Sequence, residues 1–116
     1  MAQSYDELYQ EVHDLMQKYS KESPDVMDAF MKLHKSNATD GALSTKVKEL
    51  MALSIGISVR CDGCIAFHVH DALEAGATRD EIVETIGVAI LMGGGPSVVY
   101  GTKALRALED FGEKNK

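Results

Sequence analysis

Along this chain apolar residues recur at three- and four-residue intervals, the period of an α-helix, and nowhere do they alternate as on a half-buried strand. That periodicity predicts an all-α fold, and the punctuation between the periodic segments predicts about six helices. Ser4 and Glu7 make an S-x-x-E capping box ahead of Leu8, Val12, Leu15, Met16 and Tyr19, so a first helix should run to about Ser20. Ser23-Pro24 offers a cap and a first-turn proline for a second helix carrying Met27, Phe30, Met31 and Leu33 and ending near Ser36-Asn37. A loop from Asn37 to Ala42 follows, with Asp40-Gly41 inside it.

Ser44 is placed to cap a third helix with Val47, Leu50, Met51, Leu53 and Ile55, apolar around much of its circumference and therefore expected to be buried. Gly56 lies within that helix, where glycine costs about 1 kcal/mol against alanine, so it should mark a tight helix crossing or a kink. A fourth helix is expected from Cys61-Asp62 to Gly76, a residue suited to a left-handed C-terminal cap. Thr78 and Glu81 repeat the capping box and open a fifth helix through Ile82, Val83, Ile86, Ala89 and Ile90, which Gly93-Gly94-Gly95-Pro96 should end. A sixth, from about Ser97, carries Val98, Val99, Leu105, Leu108 and Phe111 before the charged tail Glu113 to Lys116. Residues 1–116 thus read as a single helical domain.

Charge narrows the partners. Eighteen acidic residues against twelve basic ones leave a net charge of −6, a field that repels phosphate backbones and anionic lipid, so neither nucleic acid nor a membrane surface is expected. The longest apolar run, Leu50 to Val59, is broken by Ser54, Gly56 and Ser58 and falls short of the roughly 20 residues a spanning helix needs. The start Met-Ala-Gln-Ser-Tyr-Asp-Glu lacks the basic and apolar segments of a secretory signal, so a cytoplasmic protein is expected. In that reducing compartment two closely spaced cysteines point to catalysis or metal binding rather than to a permanent staple.

The chemistry concentrates in Cys61-Asp62-Gly63-Cys64-Ile65-Ala66-Phe67-His68. At about 100° per residue, Cys61, Cys64 and His68 fall within roughly 60° of one another on one helix face. His70 turns to the opposite side and is expected to lie outside the site. Thiolate is the reactive form of cysteine, and two features favour it here: a helix amino terminus for Cys61 and an imidazole four residues on for Cys64. These favour different sulfurs, so the order of attack stays open, whereas reversible closure of the pair to a disulfide follows from C-x-x-C at a helix start.

Glu49, eleven intervening residues, Cys61-x-x-Cys64, three residues and His68 resemble the signature of the AhpD-like alkylhydroperoxidase and carboxymuconolactone decarboxylase family, and the likeness continues through Glu74-Ala75-Gly76-Ala77-Thr78 and Glu81-Ile82. It covers about residues 43–111. The resemblance implies an all-helical fold, assembly into homo-oligomers such as trimers or hexamers, and a thiol-dependent peroxidase or disulfide-reductase activity without a cofactor. It further implies a proton relay in which Glu49 and His68 serve Cys61 and Cys64, with a hydroperoxide or disulfide as substrate and a dithiol protein as reductant. Where AhpD carries a further histidine just before the second cysteine, this chain has Gly63, which implies a shorter relay completed by water.

Other chemistries remain open for the same residues. Cys61, Cys64, His68 and Glu49 offer four donors to a metal, although structural zinc sites seldom use a carboxylate. A non-catalytic oligomeric module with a redox-sensing pair, and a cysteine-independent decarboxylase, are the further alternatives. His13, His34 and His70 receive no role. Gly93 to Gly95 read as a turn, since no strand precedes and no Lys-Ser/Thr follows as in a phosphate loop. Phe67 and Tyr100 read as core or interface residues. Met16, Met27, Met31, Met51 and Met92, with several apolar helix faces, exceed what one small domain hides, and helices five and six are the expected interface.

Overall fold

A computed structural model describes residues 3–114; Met1 and Ala2 of the amino-terminal stretch, and Asn115 and Lys116 of the charged tail, lie outside the described residues. Among the described residues there are six helices and no strand: α1 (Tyr5–Glu22), α2 (Pro24–Asn37), α3 (Thr45–Ser58), α4 (Asp62–Glu74), α5 (Arg79–Gly93) and α6 (Gly95–Lys114). No helix among them is long and apolar enough to cross a membrane.

Local signals account for most of the boundaries. Both capping boxes form, Ser4 with Glu7 and Thr78 with Glu81, so each pairs orphan amides at a helix start with side-chain oxygens. The Ser44 hydroxyl accepts from the amide of Val47, as a cap of α3 should. Ser23 behaves differently. Its amide already closes α1 onto the Tyr19 carbonyl, its backbone is not in the extended conformation that aims a hydroxyl inward, and it makes no side-chain cap of α2. The sixth helix begins at Gly95, two residues earlier than expected, because Gly94 takes a positive φ of 68° to turn the chain and Pro96 fits a first helical turn. The helix then continues through Lys114 into the segment read as a tail.

The core lies where α3, α4, α5 and α6 meet, built on Leu53, Ile57, Ile65, Val69 and Ile82, none with measurable exposure. Tyr5 ties α1 to this group: its amide donates to Asp110 at 2.8 Å and its hydroxyl to Asp62 at 3.2 Å. Burial and the neighbouring Asp62 carboxylate push the Tyr5 phenol well above its ordinary range, so it remains a donor.

Two helices bury less than their sequences suggest. α3 covers only the strip through Leu53, Gly56 and Ile57, while Met51 and Ile55, one turn apart on the other side, are half or more exposed. α2 packs substantially on α1 alone and has no buried residue, leaving Phe30, Met31 and Leu33 largely open.

α3 and α4 end with the same turn. In each, the amide two residues past the cap bonds a carbonyl five residues back and the amide before it bonds one three back: Cys61 to Gly56 and Arg60 to Ile57, then Ala77 to Ala72 and Gly76 to Leu73. The left-handed residue is Gly76, at φ 92°, after α4 but Arg60, at φ 60°, after α3, a conformation that costs a side-chain-bearing residue about 1 kcal/mol.

Gly56 is the crossing point of α3 and α4, since a Cβ there would stand 3.2 Å from the Cβ of Cys64. Gly56→Val should therefore force the helices apart and lower stability by about 1–3 kcal/mol in urea unfolding, and an undiminished midpoint would refute the contact.

Candidate functional site

Because Gly56 lets α3 approach the first turn of α4, Glu49, two turns earlier on α3, faces His68, one turn beyond Cys64. The His68 Nδ1 and Glu49 Oε2 are 2.8 Å apart, with the Glu49 side chain only 12% exposed. A glutamate flanked by Lys48 and Leu50 thus points inward, beside the histidine with which the resemblance paired it.

Cys61 is the N-cap of α4, its Sγ accepting from the Cys64 amide at 3.1 Å. The two cysteines form a disulfide across a Cα separation of 5.2 Å, and no free cysteine is left. An N-terminal helix position sets one sulfur among unpaired amides, the environment that favours a thiolate after reduction.

Cys61, Cys64 and His68 line one cavity of about 480 Å3. Its walls are mostly apolar: Val12 and Met16 from α1, Phe30 and Met31 from α2, and Phe67 from α4. Glu49 stands behind His68, so the four residues singled out in sequence meet in one place.

The cavity also contains residues that sequence reasoning passed over. Asp71 lines it, and its carboxylate joins Glu49 and His68 in a group whose ligand atoms all lie within 4.8 Å of one another. Its signal was available, for positions 64, 68 and 71 form one helical stripe. His13 and His34 line it as well. His13 sits in the α1 stripe of Tyr9, Val12 and Met16; its Nδ1 is buried without a hydrogen bond, the Asp14 carboxylate at 3.8 Å being beyond bonding reach. Phe67, read as core or interface, is a cavity wall packed at 4.6 Å on the Tyr9 ring.

His70 points elsewhere, as the helix arithmetic requires. It bonds Asp71 at 2.9 Å, stacks on Tyr9 at 4.2 Å and lines a second cavity of about 450 Å3 with Phe111 and Glu74. Burial and the Asp71 and Glu74 carboxylates raise the Tyr9 phenol above its ordinary value. Among the described residues the ion-pair partners of Glu49 and Asp71 are histidines, and no lysine or arginine pairs with either. The donor set that could hold a divalent cation is accordingly Glu49, His68 and Asp71, one nitrogen and two carboxylates, and it leaves out the cysteine pair that the alternative metal reading included.

Comparison with known proteins identifies the family and the fold. The family model for the carboxymuconolactone decarboxylase family matches residues 24–109. An uncharacterized protein of Cupriavidus necator is 42% identical over 82 residues, covering 71% of this chain and 73% of the relative. A crystal structure of a carboxymuconolactone decarboxylase family protein from Legionella pneumophila superposes with a TM-score of 0.88 at 39% identity, over 92% of this chain and 96% of that one. A Thermotoga maritima protein of the same family, described with a suggested involvement in antioxidative response, superposes with a TM-score of 0.82 at 28% identity, over 94% and 92% of the two chains.

The geometry predicts that the oxidised chain has no thiol open to alkylation and that a dithiol releases both, adding about 2 Da before labelling. Mass spectrometry checks this; free thiols in the protein after oxidation would refute the pairing.

Proposed function

The chain belongs to the carboxymuconolactone decarboxylase family, and we propose that it is a thiol-dependent peroxidase or disulfide reductase whose Cys61 and Cys64 cycle between dithiol and disulfide. The observation that carries this reading is the meeting of the cysteine pair with the Glu49–His68 pair at one cavity. In the peroxidase cycle one thiolate attacks the hydroperoxide, the O–O bond breaks, and the alkoxide leaves with a proton as alcohol. The resulting sulfenic acid is attacked by the second sulfur, water departs, and the disulfide closes. Glu49 and His68 hold the thiol proton between these steps and return it to the leaving oxygen, the ordinary work of a general acid–base pair. A dithiol protein restores the pair by exchange, its own two thiols becoming a disulfide.

The apolar walls Val12, Met16, Phe30, Met31 and Phe67 suit an organic hydroperoxide with an apolar substituent, held by burial rather than by charge. No cofactor enters the cycle. The reading places the protein in the cytoplasm, where reducing partners keep such a pair turning over. It also includes assembly into a homo-oligomer, a trimer or hexamer, supported by the open apolar residues Phe30 and Leu33 on α2, Ile55 on α3 and Leu91 and Met92 on α5.

Cys61→Ser and Cys64→Ser should each abolish dithiol-dependent reduction of an organic hydroperoxide, while Glu49→Gln and His68→Asn should lower kcat by about 10²-fold or more and alter its pH profile. Turnover at the parent rate in either serine variant overturns the assignment; activity on a lactone acid that survives loss of both cysteines would transfer it to decarboxylation.

A further inference from the structure

Two carboxylates lie close together at the cavity with no lysine or arginine to balance them. Glu49 of α3 and Asp71 of α4 offer an oxygen each, His68 offers a nitrogen, and the three atoms all lie within 4.8 Å of one another. The lysines in the first turn of α3 are engaged elsewhere, Lys46 with Glu81 at 2.9 Å and Lys48 with the Thr39 carbonyl at 2.9 Å. Among the described residues the ion-pair partners are imidazoles, His68 at 2.8 Å from Glu49 and His70 at 2.9 Å from Asp71. Like charges this close favour a neutralising proton or cation between them.

We propose that Glu49, His68 and Asp71 form a binding site for one divalent first-row cation of the zinc or manganese kind, and that the bound cation reversibly stops proton transfer by the Glu49–His68 pair. The donor set suits such an ion, since two carboxylates disfavour a soft monovalent metal and an imidazole disfavours calcium and magnesium. The spacing suits it too. Any two donors of a tetrahedral zinc, bonded at about 2.0–2.2 Å, lie roughly 3.3–3.6 Å apart, so donors within 4.8 Å of one another need to move by only about 1 Å. An imidazole and a carboxylate three residues apart on one helix, with a second carboxylate on the facing helix, is also how helical bundles hold cations internally.

An independent feature is the support behind Asp71. Metal-binding carboxylates are ordinarily held by an outer hydrogen bond. One Asp71 oxygen takes such a bond from His70, whose ring is in turn stacked on Tyr9 at 4.2 Å, and this leaves the second oxygen for a ligand. His68 and Asp71 line the cavity of about 480 Å3, which gives an ion and its remaining waters room. With Cys61 and Cys64 closed as a disulfide no thiolate competes, so the oxidised protein isolates the site. A filled site holds Glu49 and His68 on the cation, where neither takes or returns the thiol proton.

The binding stands apart from the thiol cycle, whereas the inhibition rests on the function proposed above, and the experiment separates them. The oxidised parent, freed of metal with a chelator, is titrated in a calorimeter with zinc chloride and with manganese chloride. One ion per chain is expected, zinc held more tightly than manganese. Glu49→Gln and Asp71→Asn, which keep the shape of each side chain, should each weaken zinc by about 10-fold or more, and Asp14→Asn, at an exposed carboxylate beside His13, should leave it unchanged. In the parent, substoichiometric manganese should broaden the NMR signals of the His68 ring before those of His13 and His34, a readout that needs no variant to fold. During dithiol-dependent reduction of an organic hydroperoxide, manganese, which has little affinity for thiols, should slow the parent and a chelator should restore it; Asp71→Asn should need about 10-fold more manganese for half inhibition. Zinc bound no more tightly by the parent than by both neutral variants overturns the inference, as does a parent that turns over at the same rate with manganese bound. The expected binding in a chain inert to hydroperoxides and disulfides would overturn the catalytic reading and the inhibition that rests on it, and leave the site standing.

Discussion

Everything at the site depends on how closely α3 approaches α4. The missing side chain at Gly56 lets the Cys64 Cβ come within the space a methyl group would occupy, and this contact sets the register of the antiparallel pair. With residues 56 and 64 opposed, two turns back along α3 and one turn forward along α4 bring Glu49 and His68 to hydrogen-bond distance. The same approach allows the Gly56 carbonyl to take the amide of Cys61, so the crossing also fixes where α4 begins and which residue caps it. A packing constraint between two backbones thus arranges cysteines, imidazole and carboxylate together, and a larger residue at position 56 would disturb all of them at once.

Much of this was legible in the sequence because the relevant signals are local. Capping boxes at Ser4 and Thr78, the Ser44 cap and the glycine stop at Gly76 are read within one turn of chain, and each stands where its chemistry puts it. The spacing of Cys61, Cys64 and His68 is a property of one helix and needs no tertiary information. Glu49 required a resemblance, since its value depends on which helix lies opposite, and that is a long-range fact.

What the sequence concealed is also long-range. The apolar circumference of α3 suggested burial all round, but Met51 and Ile55 face away from the three helices that cover the other side. His13 and His34 received no role, because only the packing of α1 and α2 beside the cysteine pair brings them to the cavity wall. Arg60 carried no sign of its left-handed backbone, because that conformation is imposed by two hydrogen bonds of the turn and not by any preference of arginine. Asp71 is a different kind of omission, for the helical stripe that includes Cys64 and His68 already contained it.

The weak anchoring of α2 has a kinetic consequence. This helix supplies Phe30, Met31 and His34 to the cavity wall, yet it has no buried residue and is braced substantially by α1 alone. Detaching it breaks few contacts, so its opening free energy lies far below that of the four-helix core, and α2 should be among the first segments to exchange its amide protons. The wall beside the partly exposed disulfide can therefore open by a local equilibrium separate from global unfolding. The cavity can thus change width along one wall while the packing of the other four helices, α3 to α6, stays as it is.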